Sequence, residues 1–430
     1  MSEALRVAVA GLGTVGAETV RLLAKRREVI ASHAGRPVDV VAVSARDRTK
    51  DRGIDLSGID WADDPLSLAT RDDVDVVCEL IGGSDGVAKT LVETAMAAGK
   101  SVVTANKALL AHHGSDLARK AEAGGVTLAY EAAVAGGIPI IRALREGLVV
   151  NEVSRVYGIL NGTCNYILTA MRESGRAFDD VLAEAQDLGY AEADPTFDVD
   201  GIDAAHKLAL LSALAFGHAV DFKAVHTEGI RSISALDIAY AEEFGYRIKL
   251  LGIAERTPEG IRQRVHPCMV AKAAPIAQVE GVFNAVMAEG DAVGTTLHYG
   301  RGAGAGPTAS AVIGDVVDIA SGRGAPVFGV PAERLSTSRE APWESMRGGY
   351  YVRLMVIDRP GVLADVTAIM RDQNVSMESM VQRGRDPHEK VPVALTTHEV
   401  DEASMRKALA DIAKLDAVQE PPAMIRIVDL

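Results

Sequence analysis

Cysteine is scarce in this chain: Cys78, Cys164 and Cys268 are the three thiols in 430 residues, odd in number and widely separated. That spacing supports neither a disulfide framework nor a zinc motif, and it fits a reducing compartment. Positive charge is in deficit too. Lys and Arg number 45 against 59 Asp and Glu, a formal net charge of -14, which argues against nucleic acid or an acidic membrane as partner. No uninterrupted apolar run reaches the ~18 residues that would span a bilayer. The opening MSEALRVAVAG enters a strand directly, without a signal peptide's charged start and long apolar region, so the expected location is the cytoplasm. With 48% hydrophobic and 24% charged residues the chain can bury substantial cores, and its length predicts two or three domains.

What is present begins with LRVAVAGLGTVG, a short apolar strand running into Gly11, Gly13 and Gly16. This is G-x-G-x-x-G in the strand, turn and helix context that a dinucleotide site requires. Gly11 permits the turn, Gly13 lets a pyrophosphate reach the backbone, and Gly16 lets the following helix pack on the strand. Thr14 and Val15 lie at that helix's N-terminus, where unpaired N–H groups and the dipole favour phosphate. A tight turn in an unrelated doubly wound fold is the alternative. The second strand, VDVVAVSARDRTK, ends at Ser44 and Ala45 where NAD sites usually carry an acid. Arg46, Arg48 and Lys50 follow and suit the 2′-phosphate of NADP. Asp47 keeps NAD open, and a solvated charged turn is the plain alternative.

Further along, DVDVVCELIGG reads as a buried strand ending at Gly82 and Gly83 on the cofactor side, TLVETAMAAG as a helix, and SVVTANK as a strand that brings Lys107 to its carboxyl end, facing the cleft. The loop from Glu131 to Ile138 is made of small residues. Its carbonyls could hold a hard cation, although such loops are commonly plain crossovers. Residues 1–140 are expected to form a Rossmann-type nucleotide-binding domain, completed by a helix at about 303–321 whose glycine-rich start lets backbone close on the ligand. Residues 141–302 read as an α+β domain: VVNEVSRVYGIL, KLLGIAER, IRQRVHPCMV, VFNAVMAEG and AVGTTLHYG as strands, with helices covering one face.

GYAEADPTFDVDGIDAAHK sets five carboxylates and Lys207 at the mouth of an apolar helix beginning near Asp200 or Gly201. Asp203 and Lys207 are i and i+4, so both stand on one helical face. With Glu192 delivered by the preceding loop, they suit gripping a small polar substrate and moving a proton. A surface salt bridge is the bland reading. Cys164, at a helix start in NGTCNYIL, offers a rival thiol nucleophile.

Residues 322–349 carry Pro, Gly and Ser with little periodicity and read as a linker to an appendage. In 350–430 the order is strand, helix, strand, strand, helix, strand, a ferredoxin-like βαββαβ unit. DRPGVLA places Pro360 and Gly361 at its first strand–helix turn, and Asn374, Val375 and Ser376 open its second strand.

The glycine fingerprint, TANK at 104–107, NGTCNYIL at 161–168 and GYAEADPTFDVDGIDAAHK together resemble the homoserine dehydrogenases over residues 1 to about 320, and DRPGVLA resembles the ACT domain signature. The resemblance implies reversible NAD(P)H-dependent reduction of aspartate semialdehyde to homoserine, in threonine and methionine biosynthesis. It implies Lys207 as proton donor, with Lys107 sharing that role between cofactor and substrate, and Asp203, Glu192, Asp198, Tyr190 and Thr163 as substrate contacts. It adds Gly189 and Gly304 as cofactor contacts, and a sodium-type cation held by Glu131 and the carbonyls of Val134, Gly136 and Ile138. A homodimer or homotetramer is implied, with L-threonine bound near Gly361 and residues 374–376 as effector.

Overall fold

In the first 130 residues the apolar stretches are short and continuous rather than alternating, the pattern of strands buried on both faces. The computed structural model describes residues 3–430 apart from 338, 344 and 384–389. Strands β1 (Leu5–Ala10), β2 (Val38–Ser44), β3 (Asp60–Trp61), β4 (Val76–Glu79), β5 (Ser101–Thr104) and β6 (Leu128–Ala129) form one parallel sheet in the order β3-β2-β1-β4-β5-β6. The order reverses between β1 and β4, and in such sheets the crevice at that point, outside the carboxyl ends of the strands, takes the ligand. Helix Ala305–Ala320 returns to this sheet, where Val312, Ile313 and Val316 join a core with Val7, Val9 and Leu23.

The second sheet begins with β7 (Val153–Ile159), β8 (Val225–Thr227), β9 (Tyr246–Thr257), β10 (Gly260–Ala271), β11 (Phe283–Gly290) and β12 (Gly294–Arg301). Along these strands side chains alternate between two cores. Val156, Leu250, Ala254, Val265 and Val286 pack with the helices, while Tyr157, Leu251, Ile253, Cys268 and Ala285 form a separate cluster on the other face. Helix Ile202–Phe216 is buried on nearly every side and ends at left-handed Gly217. Its position between the two sheets explains a run, AAHKLALLSALAF, that is apolar almost all round.

The C-terminal strands are β13 (Arg347–Ile357), β14 (Met377–Gln382), β15 (Lys390–Thr397), β16 (Val400–Asp401) and β17 (Ala423–Val428), with helices Val362–Asp372 and Glu402–Ile412. The expected βαββαβ order holds; Gly384, the last residue of the expected second strand, lies outside the described residues. The unit is more than an appendage, however. β17 pairs parallel with β10, Cys268 opposite Arg426 and Val270 opposite Val428, and antiparallel with β13 on its other side. The result is one continuous 11-stranded sheet through both units.

Buried charge reinforces the seam. Asp237, on helix Ala235–Glu243, accepts from Arg353 Nε at 2.7 Å and Tyr351 Oη at 3.1 Å, both on β13. Asp237 also completes a capping box with Ser234. The 322–349 stretch expected as a linker is tied down among its described residues: Val327 and Phe328 are buried, Phe328 packs on Tyr130 with ring centroids 5.6 Å apart, and Tyr130 Oη donates to the Val327 carbonyl. No helix among the described residues is long and apolar enough to cross a membrane.

Removing Asp237 leaves the buried Arg353 guanidinium with only Glu420, 4.0 Å away, as counter-ion, so Asp237→Ala should cost about 3 kcal/mol in urea unfolding. A cost below about 1 kcal/mol would mean the seam is held by sheet pairing alone.

Candidate active site

The glycine loop has the geometry a dinucleotide needs. Gly11 sits at φ 96°, and a Cβ there would come within 2.4 Å of the Leu80 carbonyl oxygen; a Cβ on Gly16 would lie 1.8 Å from the Gly11 oxygen. Gly13, by contrast, faces open space on the side where a pyrophosphate would approach. Helix Thr14–Lys25 starts without a side-chain cap, which leaves its first N–H groups to an incoming phosphate. Beyond β2, Arg46 and Arg48 are exposed, and Arg48 lies over the Trp61 ring at 5.8 Å. The acid between them is engaged: Asp47 accepts from the Thr49 backbone and hydroxyl, hydrogen bonds that lower its pKa. Arg52 holds the whole turn, donating to the carbonyls of Leu12, Asp47 and Lys50 at 3.0, 2.6 and 2.7 Å.

Two further residues that sequence reasoning missed shape this side. Glu79, fully buried at the end of β4, accepts from Ile81 N, Gly82 N and Thr104 Oγ1 and so builds the turn leading to Gly83. Asn106 donates to the Gly83 carbonyl and caps helix Lys107–Ala123 through Leu109 N. That cap corrects the reading of TANK as strand. β5 stops at Thr104, and Lys107 is the first residue of the helix.

A cleft of about 580 Å³ lies between the two sheets. Val15, Lys107 and Gly304 reach it from the nucleotide side, and Thr163, Gly189, Tyr190, Glu192, Asp198, Asp203 and Lys207 from the other. At its floor the Asp203 carboxylate is shared. Oδ2 accepts from Lys207 Nζ at 2.8 Å and from Asn161 Nδ2 at 2.8 Å, while Oδ1 lies 3.0 Å from Lys107 Nζ. The i,i+4 pair is thus a buried one, not a surface salt bridge. Burial opposes ionisation of Asp203, but the charges of Lys207 and Lys107 outweigh it and hold the acid well below the usual carboxylate range. Burial lowers the pKa of Lys207 against the pull of Asp203. Lys107 is raised, chiefly by Asp203. Lys207 also donates to the Leu160 carbonyl at 2.7 Å, which fixes the direction of its side chain.

On the loop above, Glu192 is exposed at the rim, and Tyr190 is half exposed with its ring edge-on to Tyr166. Thr163 Oγ1 donates to the Tyr190 carbonyl at 2.7 Å. Asp198 accepts from the same Asn161 amide that serves Asp203; burial, then the charge of Asp203, raises its pKa. Cys164 is fully buried, its thiol donates to the Asp198 carbonyl, and burial pushes its pKa well up. A group so placed packs rather than attacks. Arg46, Arg48 and Gly83 do not line this cleft; they sit where the far end of a dinucleotide would run.

The 131–138 loop bends through left-handed Ala135 and Gly136. The Glu131 carboxylate accepts from the backbone N–H groups of Ile141 and Arg142 at 2.8 and 2.9 Å, one on each oxygen. Among the described residues no His, Cys, Asp and Glu cluster could hold a metal. Carbonyl ligation with two buried acids behind it fits a monovalent ion: Asp315 accepts from Glu131 N at 2.9 Å, and burial together with the Glu131 charge pushes it up to about 7.

A Rossmann-type sheet facing a cleft floored by a charge-paired acid and two amines defines a nicotinamide-dependent oxidoreductase of the two-domain kind. Family models agree: homoserine dehydrogenase, NAD binding domain, matches residues 11–131; homoserine dehydrogenase, residues 139–317; and ACT domain, residues 350–417. The chain is similar to the homoserine dehydrogenases of Pseudomonas aeruginosa (46% identity) and Neisseria gonorrhoeae (44%), with 99% of each chain covered in both cases. It is similar in structure to a homoserine dehydrogenase from Thiobacillus denitrificans, with a TM-score of 0.93, 47% identity and 99% of each chain covered. A hyperthermophilic archaeal homoserine dehydrogenase in complex with NADPH gives a TM-score of 0.64 at 26% identity, covering 76% of this chain and all of that one. The chain belongs to the homoserine dehydrogenase family and is an NAD(P)-dependent oxidoreductase acting on a CH–OH group.

Proposed function

We propose that this cleft reduces aspartate semialdehyde with Lys207 as the proton donor, serving threonine and methionine biosynthesis in the cytoplasm, where buried, unpaired thiols are at home. The observation that carries the assignment is the Asp203 carboxylate shared between two lysines at the floor of the cleft. Glu192 and Asp198 take the substrate's ammonium, and Thr163 and Tyr190 fix its orientation. When bound, the nicotinamide supplies hydride to the aldehyde carbon. Lys207 Nζ meets the negative charge developing on the oxygen and gives it a proton. Burial makes that proton easier to release, while Asp203 keeps the amine charged until it is needed. Lys107, charged and nearer the solvent side, supports the transfer and returns the proton.

The exposed Arg46 and Arg48, with Asp47 turned onto Thr49, favour the 2′-phosphate of NADPH; Gly11, Gly13, Thr14, Val15 and Gly16 hold the pyrophosphate, with Gly83, Gly189 and Gly304 against the rest of the cofactor. The carbonyls of Glu131, Val134, Gly136 and Ile138 hold a sodium-type ion that neutralises the buried acids beside the loop. Gly361, at φ 99° and heading helix Val362–Asp372, and the turn of Asn374, Val375 and Ser376 face an L-threonine effector. Val375 supports this turn through the ACT core rather than by side-chain contact, being 5% exposed. β12, an end strand of the 11-stranded sheet with Leu297 and Tyr299 exposed, offers a surface for a second copy of the chain; a monomeric mass by light scattering would remove the dimer.

Lys207→Met should bind cofactor normally and lose at least ~10²-fold in kcat, the usual loss for a general acid; turnover above about a tenth of wild type would move the role to Lys107. The unmodified enzyme should prefer NADPH to NADH and melt higher in sodium than in tetramethylammonium. Equal efficiency with both nucleotides would return the arginine turn to ordinary surface, and a melting temperature indifferent to sodium would remove the cation. L-Threonine at millimolar concentration should inhibit and shift the melting temperature; no change in either would leave the ACT unit without that effector.

A further inference from the structure

Glu228 lies outside the cleft, yet it is where the two units of the 11-stranded sheet grip each other. Its carboxylate accepts from Arg426 Nη1 and Nη2 at 2.7 and 2.9 Å and from Arg406 Nη2 at 3.3 Å, both from the C-terminal unit, and takes His226 Nε2 at 2.8 Å from its own side. Burial would disfavour its charge, but the His226 hydrogen bond and Arg426 hold it well below the usual carboxylate range. Arg426 is itself immobilised. It is 2% exposed, bonded to fully buried Glu402 at 2.7 and 3.1 Å, and lies 4.8 Å over the Trp343 ring.

The residues after Glu228 are threaded just as tightly against the short helix Thr196–Val199. A Cβ on Gly229 would fall 2.3 Å from the Val199 oxygen and 2.5 Å from Asp200 Cα, so no other residue allows this approach. Ile230 N donates to the Val199 carbonyl at 2.8 Å, and Arg231 Nε donates to Asp200 Oδ1 at 2.5 Å. That short helix carries Asp198, whose carboxylate shares the Asn161 amide with Asp203.

We propose that Glu228 is a positioning residue: held by Arg406 and Arg426 of the C-terminal unit, it sets, through Gly229–Arg231, the helix that carries Asp198 into the substrate side of the cleft. The link rests on reading Asp198 as a contact for the substrate's ammonium. The path is short: hydrogen bonds join the guanidinium groups to the Glu228 carboxylate, the chain carries Glu228 into Gly229–Arg231, and these touch Val199 and Asp200, the two residues that follow Asp198. Its consequence is selective. Loosening the grip on Glu228 weakens substrate binding and leaves the glycine loop on the opposite sheet untouched.

Glu228→Gln preserves shape and removes the charge that both arginines hold. The homoserine KM should rise by about tenfold while the cofactor KM stays within about twofold and kcat within about threefold. Arg406→Met, on a half-exposed side chain of the C-terminal unit, should raise the homoserine KM in the same direction and add nothing in the Glu228→Gln background. It also decides the matter alone if Glu228→Gln does not fold. A homoserine KM within about twofold of wild type in the folded variants overturns the proposal, and so does a rise of both KM values together, the mark of general loosening. If Lys207→Met is inactive while these variants bind homoserine normally, the relay fails and the cleft assignment stands; an active Lys207→Met would instead move the proton donor to Lys107 and leave the relay to be judged by the homoserine KM alone.

Discussion

A carboxylate that cannot be neutral and cannot be solvated organises this molecule. Asp203 is 4% exposed and ionised, and a buried charge of that kind is tolerable only if partners surround it. Lys207 comes from its own helix, Lys107 from the helix after β5 and Asn161 from the cap of helix Gly162–Ser174, so three separate elements converge on one side chain. Two of them belong to the sheet of the second domain and one to the nucleotide sheet. The pairing therefore ties the two domains together across the floor of the cleft.

The same logic governs the other buried charges. Asp237 with Arg353 and Glu228 with both Arg406 and Arg426 cross from one unit to another, and Glu402 holds Arg426 in place from within the C-terminal unit, where a purely apolar seam would have been simpler to build. Buried ion pairs contribute little net stability, but breaking one is costly, so they penalise any arrangement other than the observed one. A sheet shared between a catalytic and a C-terminal unit has one register, and these pairs help to define it.

Much of this was legible in the sequence. Strand and helix periods placed most of the longer strands, because both sheets bury one or two clean faces, but helices Arg27–Ala34, Lys107–Ala123 and Ala235–Glu243 went unread; the i,i+4 spacing of Asp203 and Lys207 was enough to put them on one helical face. What escaped has a common cause. Lys107 was read into a strand because the cap set by Asn106 is a single residue inside an apolar-leading run. The 322–349 stretch looked like a free linker because it is held by isolated anchors, Val327 and Phe328, and anchors have no period. Glu79, Arg52 and Glu228 each take a partner far away in the chain, Thr104, Leu12 and Arg426 respectively, and no local pattern announces those contacts. The pairing of β17 with β10 is of the same sort: nothing in AMIRIVDL says which strand it will join.

That pairing has a consequence for how the enzyme comes into being. β10 ends at Ala271, whereas the strand that covers its edge is not complete until Val428, two residues from the last. During synthesis the Cys268–Val270 edge of β10 stays open until Ala423–Val428 is made, and pairings of such long separation form late. A chain lacking Ala423–Val428 is left with an exposed edge on β10 and the buried Glu402 without Arg426, an arrangement that invites aggregation. That one strand covers Cys268–Val270 of β10 on one side and Gly349–Arg353 of β13 on the other, so damage to it is felt in both units at once.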